Sequence, residues 1–160
     1  MKLLIAVFAV VACAALAEAA TITVPDDQPT IQNAIDAASV DDTVFIRAGT
    51  YEETIVIDKR LVLLGESRRA TVVDGWQTVA QVTANGVTVC NLTFTGSAEG
   101  LDTNWVPCGG LVLYGADSCL VEDCDLVDND GSGLVVVGAK HNRVRHCWIQ
   151  GNHDGIHLYE

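Results

Sequence analysis

The sequence predicts an all-β chain, a single-stranded parallel β-helix fronted by a short capping helix. Three observations predict it. The 160 residues are 49% hydrophobic, mostly Val, Leu and Ile in short runs punctuated by 14 Gly. Such runs are too short for helices and suit strands that face one interior. One block recurs at a period of 23 residues through the second half, which is the mark of stacked supersecondary units. At that same offset acids fall beneath bases, as they do on neighbouring rungs of a ladder.

Residues 1–19 read as an address. They hold one cation, Lys2, then an apolar run ending in small residues around Ala15, Ala17 and Ala19, a signal-peptidase pattern. The run is short for a membrane span, which takes about 20 apolar residues. A second reading is a lipoprotein box ending at Cys13. Residues 20–160 then form one β-helix domain, expected in a secreted, periplasmic or cell-surface setting, with no transmembrane segment.

The domain opens with a strand at Thr21, Ile22, Thr23 and Val24. Ile31, Ala34, Ile35 and Ala38 follow at helical spacing, with Pro29 suited to a first turn. This short amphipathic helix would cover the open end of the first coil and its unpaired edge. Strands are expected at 43–47, 55–57, 61–64, 71–73 and 79–83. The repeat then takes over: 115–126 lies over 138–149, 110–113 over 133–136, and Asn129 over Asn152. Residues 155–158 repeat that block after one deletion. Residues 87–92 read as an earlier copy, with Val87 34 residues before Val121, which aligns Cys90 with Cys124 and Cys147. The surplus falls in a loop at 97–108. Strands that recur once per coil lie parallel and in register, about 4.8 Å apart. Asp117 then sits under Lys140, Glu122 under Arg145, Asp123 under His146 and Asp130 under His153. At this period the domain makes about six coils.

The segments 30–38, 42–46 and 49–53 resemble the amino-terminal portion of pectin-lyase-like right-handed parallel β-helix proteins, pectinesterases among them. Asn152-His153-Asp154-Gly155-Ile156 looks like the generic β-helix repeat. The likeness spans residues 21–160 and implies a right-handed coil. It leaves the activity open, because this scaffold hosts esterases, lyases, hydrolases and non-catalytic surface proteins. For an esterase the resemblance implies an Asp pair, Gln side chains at an oxyanion site and an Arg for the substrate carboxylate. Asp154 stands at the nucleophile position, and Asp130 lies near the expected partner. The remaining motif is missing: Gly155-Ile156-His157-Leu158 follows Asp154, and Gly109-Gly110-Leu111-Val112 replaces the Gln-Ala-Val block. A lone Asp lacks a partner for acid/base work, so a non-catalytic role is expected.

A long loop leaving a rigid stack is where binding residues usually sit. In 97–108, Trp105 is placed to stack on a sugar ring, with Glu99, Asp102 and Asn104 as hydrogen-bond partners. The equal alternative is that Trp105 covers apolar coil surface. Cys108 and Cys119 are the candidate disulfide. Cys90, Cys124 and Cys147 are expected to form a buried thiol ladder. Asn91-Leu92-Thr93 is a formal glycosylation sequon set in a strand.

Nine Lys plus Arg against 21 Asp plus Glu give a charge of −12, which argues against nucleic acid as a partner. From Ala70 to Ala139 there is no base at all, and such a face repels a polyuronate unless a cation bridges them. Asp123, Asp125, Asp128 and Asp130 offer oxygen ligands for Ca²⁺, but their spacing matches no EF-hand, and solvated turn carboxylates are the plainer reading. His141, His146, His153 and His157 cluster late enough to permit a transition-metal site, but ladder pairing or an outward strand position accounts for three of the four, so no metal site is expected. The expected partner is a polysaccharide or surface glycan, and no cofactor is required. The chain stops inside a strand, so further coils or end-to-end association is expected at that edge.

Overall fold

Short strands joined by bent or left-handed corners wind the chain into six stacked coils. The computed structural model describes residues 18–103 and 105–159, so Asn104 and most of the expected leader, Cys13 included, lie outside the described residues. The first coil holds β1 (Thr21–Val24) and α1 (Ile31–Ala37). The second holds β2 (Thr43–Ile46), β3 (Gly49–Tyr51) and β4 (Ile55–Ile57), and the third β5 (Val62–Gly65), β6 (Thr71–Asp74) and β7 (Ala80–Val82). The fourth holds β8 (Thr88–Cys90), β9 (Thr93–Thr95) and β10 (Gly109–Tyr114). The fifth holds β11 (Leu120–Glu122), β12 (Asp125–Val127) and β13 (Ser132–Val137). The sixth holds β14 (Arg143–Arg145), β15 (Trp148–Gln150) and β16 (Asp154–Tyr159).

Each coil from the second onward gives one strand to each of three parallel sheets. Sheet A runs β1-β2-β5-β8-β11-β14, sheet B β3-β6-β9-β12-β15, and sheet C β4-β7-β10-β13-β16. Inward side chains stack by register. Val44, Leu63, Val89 and Val121 form the buried column of sheet A. Val73, Phe94 and Leu126 form that of sheet B, and Ile57, Val82 and Leu113 one column of sheet C. Burying these apolar columns is the main stabilising term, at about 1.5–3 kcal/mol per large side chain.

The helix caps the stack as expected. Thr30 Oγ1 accepts from Asn33 N at 3.1 Å, and the Glu53 carboxylate accepts from Ile31 N and Gln32 N at 2.9 and 3.0 Å. Together they satisfy three backbone donors that the helix leaves open. Pro29 precedes this N-cap instead of entering the first turn. The Gln32 amide accepts from Val56 N at 2.8 Å and donates to Val56 O at 3.3 Å, so a side chain blunts the edge of β4.

The 23-residue register holds: Val121 pairs with Val144 and Glu122 with Arg145. Arg145 Nε lies 2.8 Å from Glu122 Oε1. Two expected charge pairs differ. Asp117 accepts the Lys140 backbone N–H at 2.6 Å, and His153 Nδ1 lies 3.6 Å from Asp154. The earlier copy is offset by 32 residues, not 34, because Val121 pairs with Val89 and Glu122 with Cys90. Leu92, not Cys90, therefore continues the inward column of Cys124 and Cys147, and Cys90 sits in the outward row. The five described cysteines are free, so the Cys108–Cys119 disulfide is not formed. β10 lies between the two, and a six-residue strand spans roughly 20 Å, far beyond disulfide reach.

Candidate binding site

The outward face of sheet B carries an open surface cleft. Thr50, Val72, Thr93, Asp125 and Trp148 form one in-register row, and Val127 pairs with Gln150 in the next. The turn before β6 brings Arg68 and Arg69 over this row. Arg68 is anchored there: its carbonyl accepts from Thr93 Oγ1 at 2.6 Å, and its Nη1 donates to His146 O at 3.1 Å. Arg68, Arg69, Val72, Thr93, Asp125, Val127, Asp128, Trp148 and Gln150 enclose an open groove of about 530 Å³.

Charge in the groove is balanced but unevenly placed. Arg68 Nε faces Asp125 Oδ1 at 3.3 Å, and the Asp125 side chain is only 14% exposed. That buried oxygen makes no well-formed hydrogen bond. The Arg68 guanidinium offsets the charge of that oxygen through the ion pair alone. Arg69 is exposed and forms no ion pair with any described residue. Trp148 is 59% exposed. An aromatic face beside guanidinium, amide and carboxylate groups suits a sugar, whose C–H face stacks and whose hydroxyls need both donors and acceptors.

A second cleft of about 500 Å³ lies at the corner between sheets B and C, lined by Glu99, Asn129, Asp130, Gly151, Asn152 and His153. The two clefts adjoin in sequence on both coils, at Asp128-Asn129 and at Gln150-Gly151. Gly151, at φ 72°, lets the Asp128 carboxylate cross this corner, where any Cβ would strike it. The floor of the corner is fixed by an asparagine ladder. Asn129 Nδ2 donates to Asn152 Oδ1 at 2.9 Å, and Ser97 N donates to Asn129 Oδ1 at 3.0 Å.

The residues singled out from the sequence divide between these clefts and structural duties. Glu99 and Asp130 meet in the corner cleft. Trp105 is 82% exposed and covers nothing; its neighbour Val106 is buried against Val112 and Val135 and shields the outer face of sheet C. Asp102 braces the loop, its carboxylate accepting from Val106 N at 2.8 Å and its carbonyl from Trp105 N at 3.1 Å. Asp154 opens β16, with Oδ2 3.6 Å from His153 Nδ1 and 3.5 Å from His157 Nδ1. Its register partner in the coil below is Ser132, followed by Gly109, so no carboxylate shares that row. The four aspartates considered for Ca²⁺ do not converge: Asp125 faces Arg68, while Asp130 lies in the other cleft. Arg68, Arg69, Trp148 and Gln150 carry the sheet B groove and were not picked out by sequence reading.

The last coil leaves Val144, Ile156, Leu158 and Tyr159 exposed. No helix among the described residues is long and apolar enough to cross a membrane.

A family model described as a right handed beta helix region matches residues 74–160. The fold is similar to solved pectin methylesterases. The carrot enzyme aligns at a TM-score of 0.54 and 15% identity, over 88% of this chain and 50% of that one. The enzyme from Aspergillus niger aligns at 0.54 and 18%, over 89% and 55% respectively. A pectin methylesterase in complex with a hexasaccharide aligns at 0.54 and 19%, over 81% and 54%. The chain spans about half the length of these structures. No curated protein matches it in sequence.

Proposed function

The chain belongs to the right-handed β-helix family, and on that premise we propose that it is an exported protein that binds a polysaccharide or surface glycan along sheet B without turning it over. The observation that carries this reading is the groove that joins exposed Trp148 to Arg69, Gln150 and the Arg68–Asp125 ion pair. Trp148 supplies the stacking face and the Gln150 amide meets sugar hydroxyls. Arg69 takes a carboxylate, so the groove admits uronate residues that the acidic remainder of the surface repels. The corner cleft, with Glu99 and Asp130, extends the strip by a further sugar. Export is supported by the leader pattern at 1–19.

Absence of turnover is supported by the row that holds Asp154. With Ser132 and Gly109 beneath it, a nucleophilic carboxylate there has no acid/base partner in register. The rival is a carbohydrate-active enzyme that uses Asp154 with Asp130. The test is retention on immobilised polygalacturonate, methyl-esterified pectin and a neutral glucan, with methanol and new chain ends assayed in parallel. Retention that Trp148→Ala and Arg69→Ala each weaken at least tenfold, without turnover, supports the reading. Methanol release that Asp154→Asn abolishes overturns it, and so does failure to bind any of the three.

A further inference from the structure

The corner between sheets A and B gathers a different set of side chains. Cys90 Sγ, a Glu122 carboxylate oxygen and an Asp123 carboxylate oxygen all lie within 4.8 Å of one another. His146 borders this group, its Nδ1 3.6 Å from Glu122 Oε1 and 3.9 Å from Asp123 Oδ1, and can swing in as a fourth donor. These groups come from three successive coils. Cys90 and Glu122 are register partners, and Asp123 and His146 occupy the left-handed corner at φ 52° and 56°. We propose that Cys90, Glu122, Asp123 and His146 form a binding site for a thiophilic divalent cation of the zinc type, pinning the fourth, fifth and sixth coils together.

The donor chemistry selects the ion. A thiolate with an imidazole and carboxylates suits Zn²⁺ in four-coordination, whereas Ca²⁺ and Mg²⁺ call for six or more oxygens. The two carboxylates at this separation repel one another without a cation. Burial, then the Asp123 and Glu122 carboxylates, push the Cys90 thiol up from its ordinary value. A bound divalent cation reverses that bias and takes the thiolate. Arg145 flanks the cluster on the Glu122 side. It clamps Glu122 through Nε and Nη2, both at 2.8 Å, which orients the carboxylate as hydrogen-bond partners of ligating carboxylates do. All four ligand side chains are partly exposed, so an ion can enter from solvent. Glycan binding plays no part in this site, and neither proposal depends on the other.

The experiment titrates the reduced full chain, freed of reductant, with Co²⁺ and then displaces it with Zn²⁺. The expected result is one equivalent of Co²⁺, with a thiolate-to-metal charge-transfer band that Zn²⁺ removes. Cys90→Ser is expected to abolish that band. His146→Ala and Asp123→Asn are expected to weaken Zn²⁺ binding at least tenfold in competition with a chromogenic chelator, while Cys147→Ser changes neither reading. Circular dichroism checks the fold of each variant; should Cys90→Ser fail to fold, the His146 and Asp123 variants decide. A wild-type chain with no charge-transfer band, or a band that survives Cys90→Ser or follows Cys147 instead, overturns the proposal.

Discussion

Replacing Asn129 by Ala tests the corner ladder at its most loaded rung. Asn129 is 1% exposed. Its Nδ2 faces Phe94 O at 3.3 Å, Val127 O at 3.1 Å and Asn152 Oδ1 at 2.9 Å, and its Oδ1 accepts from Ser97 N at 3.0 Å. Two amide hydrogens serve three acceptors, so the side chain makes three full hydrogen bonds' worth of contact. At about 1 kcal/mol each, with about 1 kcal/mol more for stranding the buried Ser97 N–H, Asn129→Ala should cost about 4 kcal/mol. Asn152, one coil up and partly exposed, donates only to Leu126 O at 2.8 Å beyond its bonds to Asn129. Asn152→Ala should cost about 1–2 kcal/mol, since water replaces part of what is lost. Urea unfolding gives both values from the shift in midpoint at constant slope. The double variant should cost less than the sum of the singles, because they share a bond. A cost below about 1 kcal/mol for Asn129→Ala, or strict additivity, would refute the reasoning.

Other consequences follow from the stack. A Cβ at Gly65 would meet the Asn91 carbonyl of the next coil, so Gly65→Ala should cost about 1–3 kcal/mol, whereas Gly49→Ala, which meets only the Tyr51 ring at 3.5 Å, should stay within about 0.5 kcal/mol. Thermal melting of the pair separates them. Arg145→Ala removes a solvent-screened pair and should cost about 0–1 kcal/mol, less again at high salt; a larger loss in denaturant titration would contradict the ladder accounting. A hydrogen bond from Cys124 holds the Cys147 thiol down to about 7, while Cys124 itself is pushed up, first by that same bond and then by burial. The thiolate is the reactive form and accumulates above the pKa, so Cys147 alkylation by iodoacetamide should climb through about pH 7 while Cys124 stays protected. Peptide mapping by mass spectrometry would show this, and preferential labelling of Cys124 would sink it.

Much of the winding was legible because a solenoid writes its geometry into spacing. Identical positions on successive coils touch, so Glu122 over Arg145 is both a sequence offset and a 2.8 Å contact. The 34-residue alignment failed for a physical reason. It matched Cys90 to Cys124 by residue type, but the inward column accepts any apolar group of suitable size, and Leu92 fills it. β3 escaped notice because Gly49–Tyr51 has no apolar alternation; its place is fixed by β6 alongside it. The sheet B groove was harder still. Arg68 and Trp148 are far apart in sequence, and only the coil brings them to one cleft. Once the register is known, Thr50, Val72, Thr93, Asp125 and Trp148 fall into a row, so that signal was present but needed the ladder to be read. Trp105 was conspicuous in sequence and proved to stand in solvent, while the plainer Val106 does the packing.

All three tryptophans, Trp76, Trp105 and Trp148, are exposed, so each reports any sugar laid against it. Titrating oligogalacturonate into the wild type and the three single Trp→Phe variants, followed by tryptophan fluorescence, tests the groove most directly. The account predicts a saturable change that survives Trp76→Phe and disappears in Trp148→Phe. A change that persists undiminished without Trp148 would contradict it.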